Sequence, residues 1–394
     1  MTEILPFLKD LISAPGLSGY EDPAANIIAD KWRPLVHEIS RGTLGSLQGL
    51  RRGTGKEPRP SVMIATHMDA IGLMVTGITD GFLRITRVGG VDVRVLPGTP
   101  VNVFATGAGA SGTGATGAGA SGTGATSASD TGRGATGAVT SAGEANVRPP
   151  LPGVVAQPSA QLLPDEARDG PVALEHLFID TGLLPQKVSE LVRVGDLVSF
   201  AQPPAELSGE TLTGHSLDNR ASVAALTVCL EELQTRPHVW DVWAVATSQE
   251  EVGAIGAAGS AYKLRPTIAI VVDVTFAKGP GASDWSTSPL GKGPTIVIGP
   301  NIHPALHKSM KELADKLEIP YTLEYTPSHS GTDGWATQVA AEGIPTLVIG
   351  LPLRYMHTAV ELVALKDIQR TGRLLAEFIA RLGPDYMDKI VWDK

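Results

Sequence analysis

Apolar and polar positions along the chain fall into two rhythms. Short, nearly continuous apolar runs occur at SVMIATHMD (61–69), VWAVATSQE (242–250), TIAIVVDVT (267–275), TIVIG (295–299) and TLVIG (346–350). Each is rich in Val and Ile and ends in polar residues or glycine, the pattern of parallel strands buried on both faces. Between them lie helical patterns over 218–235, 254–264, 303–318, 331–342 and 365–381. Strands alternating with helices predict an α/β fold, a mostly parallel sheet flanked by helices.

Residues 73–208 break this rhythm. Their runs GFLRITRVGG, DVRVLPGTPVNVF, LPGVVAQ, LFIDTG and VRVGDLVSF are short and separated by Gly, Pro and Asp, which predicts a small β-rich inserted domain. The α/β domain is then discontinuous, built from 1–72 and 209–394. Within the insert, TGAGASGTGA occurs in tandem at 106–115 and 116–125, and all but four residues of 106–145 are Gly, Ala, Ser or Thr. Such a stretch has too little apolar bulk to offset its ordering entropy, so a flexible loop between two strands is expected.

Composition narrows the function. The 394 residues are 42% hydrophobic and 19% charged, with net charge −9, ordinary for a soluble protein. Clustered Lys and Arg are missing, which argues against nucleic acid as a partner. No run reaches the roughly 18 apolar residues of a membrane span. The N-terminal segment is helical in pattern and lacks the build of a signal peptide. Cys229 is the only cysteine; in LTVCLEEL it reads as a buried helical residue, and a cytoplasmic, reducing setting is expected.

Candidate chemistry gathers where open α/β sheets place their ligands, at strand ends and adjoining helix starts. ATHMDAIG supplies His67 and Asp69, GHSLDNRAS supplies Asp218, TSQEE supplies Glu250 and Glu251, VVDVT supplies Asp273, and RYMHTAVE supplies His357. Each has an ordinary explanation when taken singly. Asp218 can cap a helix, Asp69 can form a turn, His357 can be a satisfied loop or core histidine, and adjacent glutamates are commonly solvated. Their joint recurrence at five strand ends or helix starts points to a metal site, since imidazoles and carboxylates suit zinc, cobalt or manganese. Five ligands exceed the three usual for one catalytic zinc, so two divalent ions fit better, with one carboxylate shared.

The segments HMDAIGLMV, SLDNR, TSQEEVG, VVDVT, GTDGW and RYMHTAVE together resemble the motifs of the cocatalytic dimetal aminopeptidases, which include tetrahedral and glutamyl aminopeptidases and members labelled endoglucanase M. The resemblance spans nearly the whole chain apart from the repeat. It implies His67, Asp218 and Asp273 on one metal, and Asp218, Glu251 and His357 on the other. Asp69 would orient His67, and Glu250 would be the general base toward the attacking water. Thr332, Asp333 and Arg354 would lie near the substrate. Peptides with a free N-terminus are the implied substrates, zinc or cobalt the favoured ions with manganese also suited, and homo-oligomers from dimer to dodecamer the implied assembly. The family usually carries an acid after the first Asp, where this chain has Ala70. Deacylation of N-acyl amino acids, glycan cleavage and a non-catalytic scaffold are the competing readings. Glycan cleavage is the poorer fit, because it needs two free carboxylates about the scissile bond.

Overall fold

The Val- and Ile-rich runs lie side by side at the centre of an eleven-stranded sheet. In the computed structural model, which describes residues 4–107, 149–165, 170–283 and 285–391, that centre is four parallel strands. They are ordered Asp241–Thr247, Ser61–His67, Ile268–Phe276, Thr346–Arg354. Nearly all their residues are buried, as expected for strands covered on both faces.

Beyond this core the sheet turns antiparallel. Glu38–Arg41 and Leu47–Arg51 extend one edge, and Glu361–Ala364, Thr211–Gly214 and Ala205–Leu207 extend the other. Thr295–Ile298, expected as one more parallel strand, runs antiparallel to Thr346–Arg354 and parallel to Thr322–Tyr325. An apolar run reports burial and not direction, so periodicity does not separate the two cases. Helices occupy Leu217–Glu232, Ile255–Leu264, Pro304–Lys316 and Leu365–Ala380, close to expectation. The helix expected over 331–342 is only Asp333–Gln338; Ala341 and Gly343 adopt positive φ and carry the chain out of it.

Helix Leu217–Glu232 braces the sheet. Every residue from Leu217 to Leu230 is buried, because it packs against the His67 and Asp273 strands and against helices Leu365–Ala380 and Ile4–Ser13. Cys229 lies in this helix, and burial pushes its thiol up, away from the reactive thiolate. Near the start of the helix, the Arg220 guanidinium is fully buried and bonds four backbone carbonyls. Nε donates to Met68 (3.0 Å), Nη1 to Leu11 and Ala14 (2.6 Å each) and Nη2 to Gly16 (3.3 Å). It thereby ties the end of the first helix, and the loop after it, to the residue following the His67 strand.

Six further strands close into an antiparallel barrel: Gly72–Thr79, Phe82–Val88, Phe178–Asp180, Leu151–Ala156, Pro100–Val103 and Leu197–Phe200. Leu73, Val75, Leu83, Val101, Ile179 and Val198 fill its separate core. The tandem repeat lies outside the described residues apart from Thr106 and Gly107. Among the described residues, no helix is long and apolar enough to cross a membrane.

Replacing Arg220 with Met keeps the bulk and strands the four carbonyls. The expected loss in unfolding free energy is about 3 kcal/mol or more by urea denaturation, and a loss below about 1 kcal/mol would contradict the role given to Arg220.

Candidate metal centre and cleft

The C-terminal ends of the parallel strands deliver the expected acids and histidines to one place. His67 ends its strand, Asp273 lies within Ile268–Phe276, and Glu250 and Glu251 follow Thr247. His357 follows Arg354, and Asp218 sits in extended backbone at the head of the bracing helix. The Asp218 side chain caps no helix. It reaches between the two imidazoles, with Oδ1 3.1 Å from His67 Nε2 and Oδ2 3.4 Å from His357 Nε2. Asp273 Oδ1 is 3.5 Å from His67 Nε2, and Glu251 Oε1 is 3.6 Å from His357 Nε2. Glu250 Oε2 stands 3.9 Å from His67 Nε2. Three overlapping groups result, each with one ligand atom per residue within 4.8 Å of the others: His67, Asp218, Asp273; Asp218, Glu251, His357; and His67, Glu250, Glu251.

Buried carboxylates hold the backbone of these residues. The strand ends at His67, so Asp69 belongs to the following turn and not to the same strand face. Its carboxylate lies 3.5 Å from His67 Nδ1, and it also accepts the N–H of Glu250 (3.0 Å), the N–H of Glu251 (3.2 Å) and the Ser18 hydroxyl (2.6 Å). Glu361 does the same on the other side, accepting the N–H of Asp218 and of His357, both at 3.0 Å. Glu21 accepts the N–H of Gln249 at 3.0 Å and of Gly19 at 2.7 Å. Glu361 and Glu21 were not expected at the site. Only the last letter of RYMHTAVE hinted at Glu361.

So much negative charge in one buried place shifts the groups apart. Hydrogen bonds to His357 and His67 overcome burial and hold Asp218 down at about 2. Burial would lower His67, but the Asp273 charge and hydrogen bonds to Asp218 and Asp273 raise it well above the usual range. His357 rises to about 9 through its hydrogen bond to Asp218 and the nearby Glu251 charge. Burial lifts Glu250 to about 10, helped by Asp273, and lifts Glu251 to about 8, helped by Asp218. Protons held this tightly by carboxylates mark a place where positive charge is wanted.

The groups open on a cleft of about 490 Å³. Thr332 lines it, caps the short helix Asp333–Gln338 and accepts the N–H of Gly334. Asp333 does not line it; buried beneath, it accepts the Thr247 hydroxyl, and burial raises it to about 7. Arg354 is also outside the lining, its Nε donating to the Lys278 carbonyl at 2.6 Å. The barrel contributes Gly90, where an added Cβ would stand 2.6 Å from His357 Nδ1, so only glycine fits. Ala70 is buried, with its N–H on the Gly16 carbonyl at 3.0 Å.

Two imidazoles and three carboxylates from five chain segments, sharing one aspartate between two groups, match the donor chemistry of a borderline divalent metal. On an α/β sheet with this strand-end placement, they define the class of metal-dependent hydrolases. The chain belongs to the M42 glutamyl aminopeptidase family, whose pattern matches residues 45–127 and 138–374. It is 31% identical to the lysyl aminopeptidase of Pyrococcus furiosus over 383 residues, 96% of this chain and 97% of that protein. An aminopeptidase structure from Desulfurococcus kamchatkensis is similar with TM-score 0.81 and 30% identity, covering 100% of this chain and 99% of that one. The TET1 peptidase of Pyrococcus horikoshii, described as able to assemble into a tetrahedron or a large octahedral shell, is similar with TM-score 0.73 and 26% identity, covering 96% and 100%. The chain is accordingly a metal-dependent peptide hydrolase of the aminopeptidase type.

Glu361→Gln keeps the size of the side chain but turns one oxygen into a donor facing a backbone N–H. Metal affinity is expected to fall about tenfold or more by isothermal titration, although Glu361 is no ligand. Unchanged affinity would assign it a purely structural place.

Proposed function

We propose that the protein removes N-terminal residues from peptides, with His67, Asp218 and Asp273 holding one divalent ion and Asp218, Glu251 and His357 the other. The supporting observation is Asp218, whose two oxygens face the two imidazoles from opposite ends of one carboxylate. Zinc or cobalt suits this donor set, as does manganese. When bound, the ions supply Lewis acidity toward a water and the scissile carbonyl.

Glu250 is the general base in this reading. It sits in the cleft wall beside His67 and belongs to neither proposed ligand set, so its carboxylate is free to take a proton from the attacking water and pass it to the leaving amine. Asp69 serves that step by fixing the N–H groups of Glu250 and Glu251 while facing the outer nitrogen of His67. Three ligand carboxylates against two divalent ions leave a positive site suited to a developing oxyanion. On the substrate side, Thr332 borders the cleft, while Asp333 accepts the Thr247 hydroxyl and Arg354 donates to the Lys278 carbonyl outside its lining.

Assembly into homo-oligomers, from dimer to dodecamer, accompanies this reading, with 73–208 as the assembly domain and 1–72 plus 209–394 as the catalytic one. Its support is the shells described for the Pyrococcus horikoshii relative. A cytoplasmic setting agrees with the lone buried thiol, and neither a membrane nor nucleic acid is needed as partner.

Chelation should abolish hydrolysis of aminoacyl anilides, and zinc, cobalt or manganese should restore it. Glu250→Gln should lower kcat by about a hundredfold or more at near-normal metal content, whereas Glu251→Gln should lose metal. Full activity in metal-loaded Glu250→Gln would remove Glu250 from the base role.

A further inference from the structure

One carboxylate in the cleft serves neither the proposed metal sites nor the proposed base. Glu324, on the strand Thr322–Tyr325, lines the cleft together with Asp273, Thr275, Phe276 and Met356. Its Oε2 accepts a 2.6 Å hydrogen bond from the buried Thr295 hydroxyl, and among the described residues its Oε1 has no protein partner. No Lys or Arg lines the cleft, so no cationic side chain of that kind pairs with it.

Local packing is arranged around this acid. Gly350 pairs in register with Asp273 on one side and with Thr295 on the other. An added Cβ at 350 would stand 2.2 Å from Thr295 Oγ1 and 2.9 Å from Glu324 Oε2. The missing side chain thus makes room for the Thr295–Glu324 pair beside the Asp273 row. Phe276, 59% exposed, and Met356 present apolar surface to the same cleft.

We infer that Glu324 selects a cationic side chain, lysine or arginine, on the N-terminal residue of the peptide; this rests on the aminopeptidase reading above. The aliphatic stem of such a residue lies along Phe276 and Met356 while its charged end reaches the open oxygen of Glu324. An acidic residue would place two carboxylates together without a cation between them. A neutral one would strip water from Glu324 and return nothing. Recognition of the peptide's α-ammonium by Glu324 is the competing role, and it differs in being the same for every substrate.

The test compares kcat/KM of the metal-loaded wild type for Lys, Arg, Leu and Glu p-nitroanilides, and repeats the panel with Glu324→Gln, which keeps an oxygen for Thr295. Lys and Arg should exceed Leu by about tenfold or more, and Glu324→Gln should shrink that ratio by a similar factor while retaining metal content and melting temperature. Glu324→Lys should raise the Glu anilide relative to the Lys anilide. Preference of the wild type for Leu or Glu, or a parallel fall across the panel in Glu324→Gln, would overturn the selection and leave the aminopeptidase reading standing. Inertness of the metal-loaded wild type toward every anilide would overturn both.

Discussion

Negative charge buried at one end of an apolar sheet is the constraint on which this structure turns. Asp69, Asp218, Glu251, Asp273 and Glu361 lie close together with little of their side-chain surface exposed to water. Each must therefore find a donor or a cation. The solution divides the acids into two kinds. Asp69, Glu361 and Glu21 are satisfied by backbone N–H groups and so convert charge into loop geometry. Asp218, Asp273 and Glu251 face the imidazoles, with Asp273 Oδ1 also accepting the Val274 N–H at 2.8 Å. Arg220 lies behind the first kind without pairing with any of them, spending four of its five N–H donors on carbonyls and adding positive potential to the buried interior.

That division also explains how two adjacent glutamates take different directions. Gln249 has positive φ, so the chain has left the pleat before Glu250 begins. Asp69 then seizes both following N–H groups. The side chains both reach the cluster, Glu251 toward His357 and Glu250 toward His67. The barrel closes the arrangement from outside, since Gly90 abuts the His357 ring and the N–H of Asp92 faces the His357 carbonyl at 3.4 Å.

Legibility in the sequence followed chain locality. His67, Asp218, Glu250, Glu251, Asp273 and His357 could be found because each ends an apolar run or opens a helix, and both are one-dimensional signals. Glu361 and Glu21 could not, because carboxylates that accept backbone N–H groups from 143 and 228 residues away leave no spacing. Strand direction was equally hidden: Thr295–Ile298 is as apolar as its parallel neighbours, and only the pairing reveals that it runs the other way. Asp69 was readable as a partner for His67 but not as the clamp on the glutamate turn, which depends on Asp241–Thr247 lying in register beside Ser61–His67. Glu324 sat in an unremarkable edge strand, and it gained meaning only when the cleft drew a wall through it.

The pairing of Val103 with Leu151 in the barrel has a practical bearing on engineering. These residues face each other across neighbouring strands, and the chain that leaves Val103 is still held at Gly107, whose N–H reaches the Leu191 carbonyl at 2.7 Å, so the connecting stretch starts and ends on the barrel. Its length can change without moving the register of either strand, and each doubling adds only about 0.6 kcal/mol of closure entropy. A small folded cargo with neighbouring termini, grafted there, would inherit attachment at two points of the same barrel.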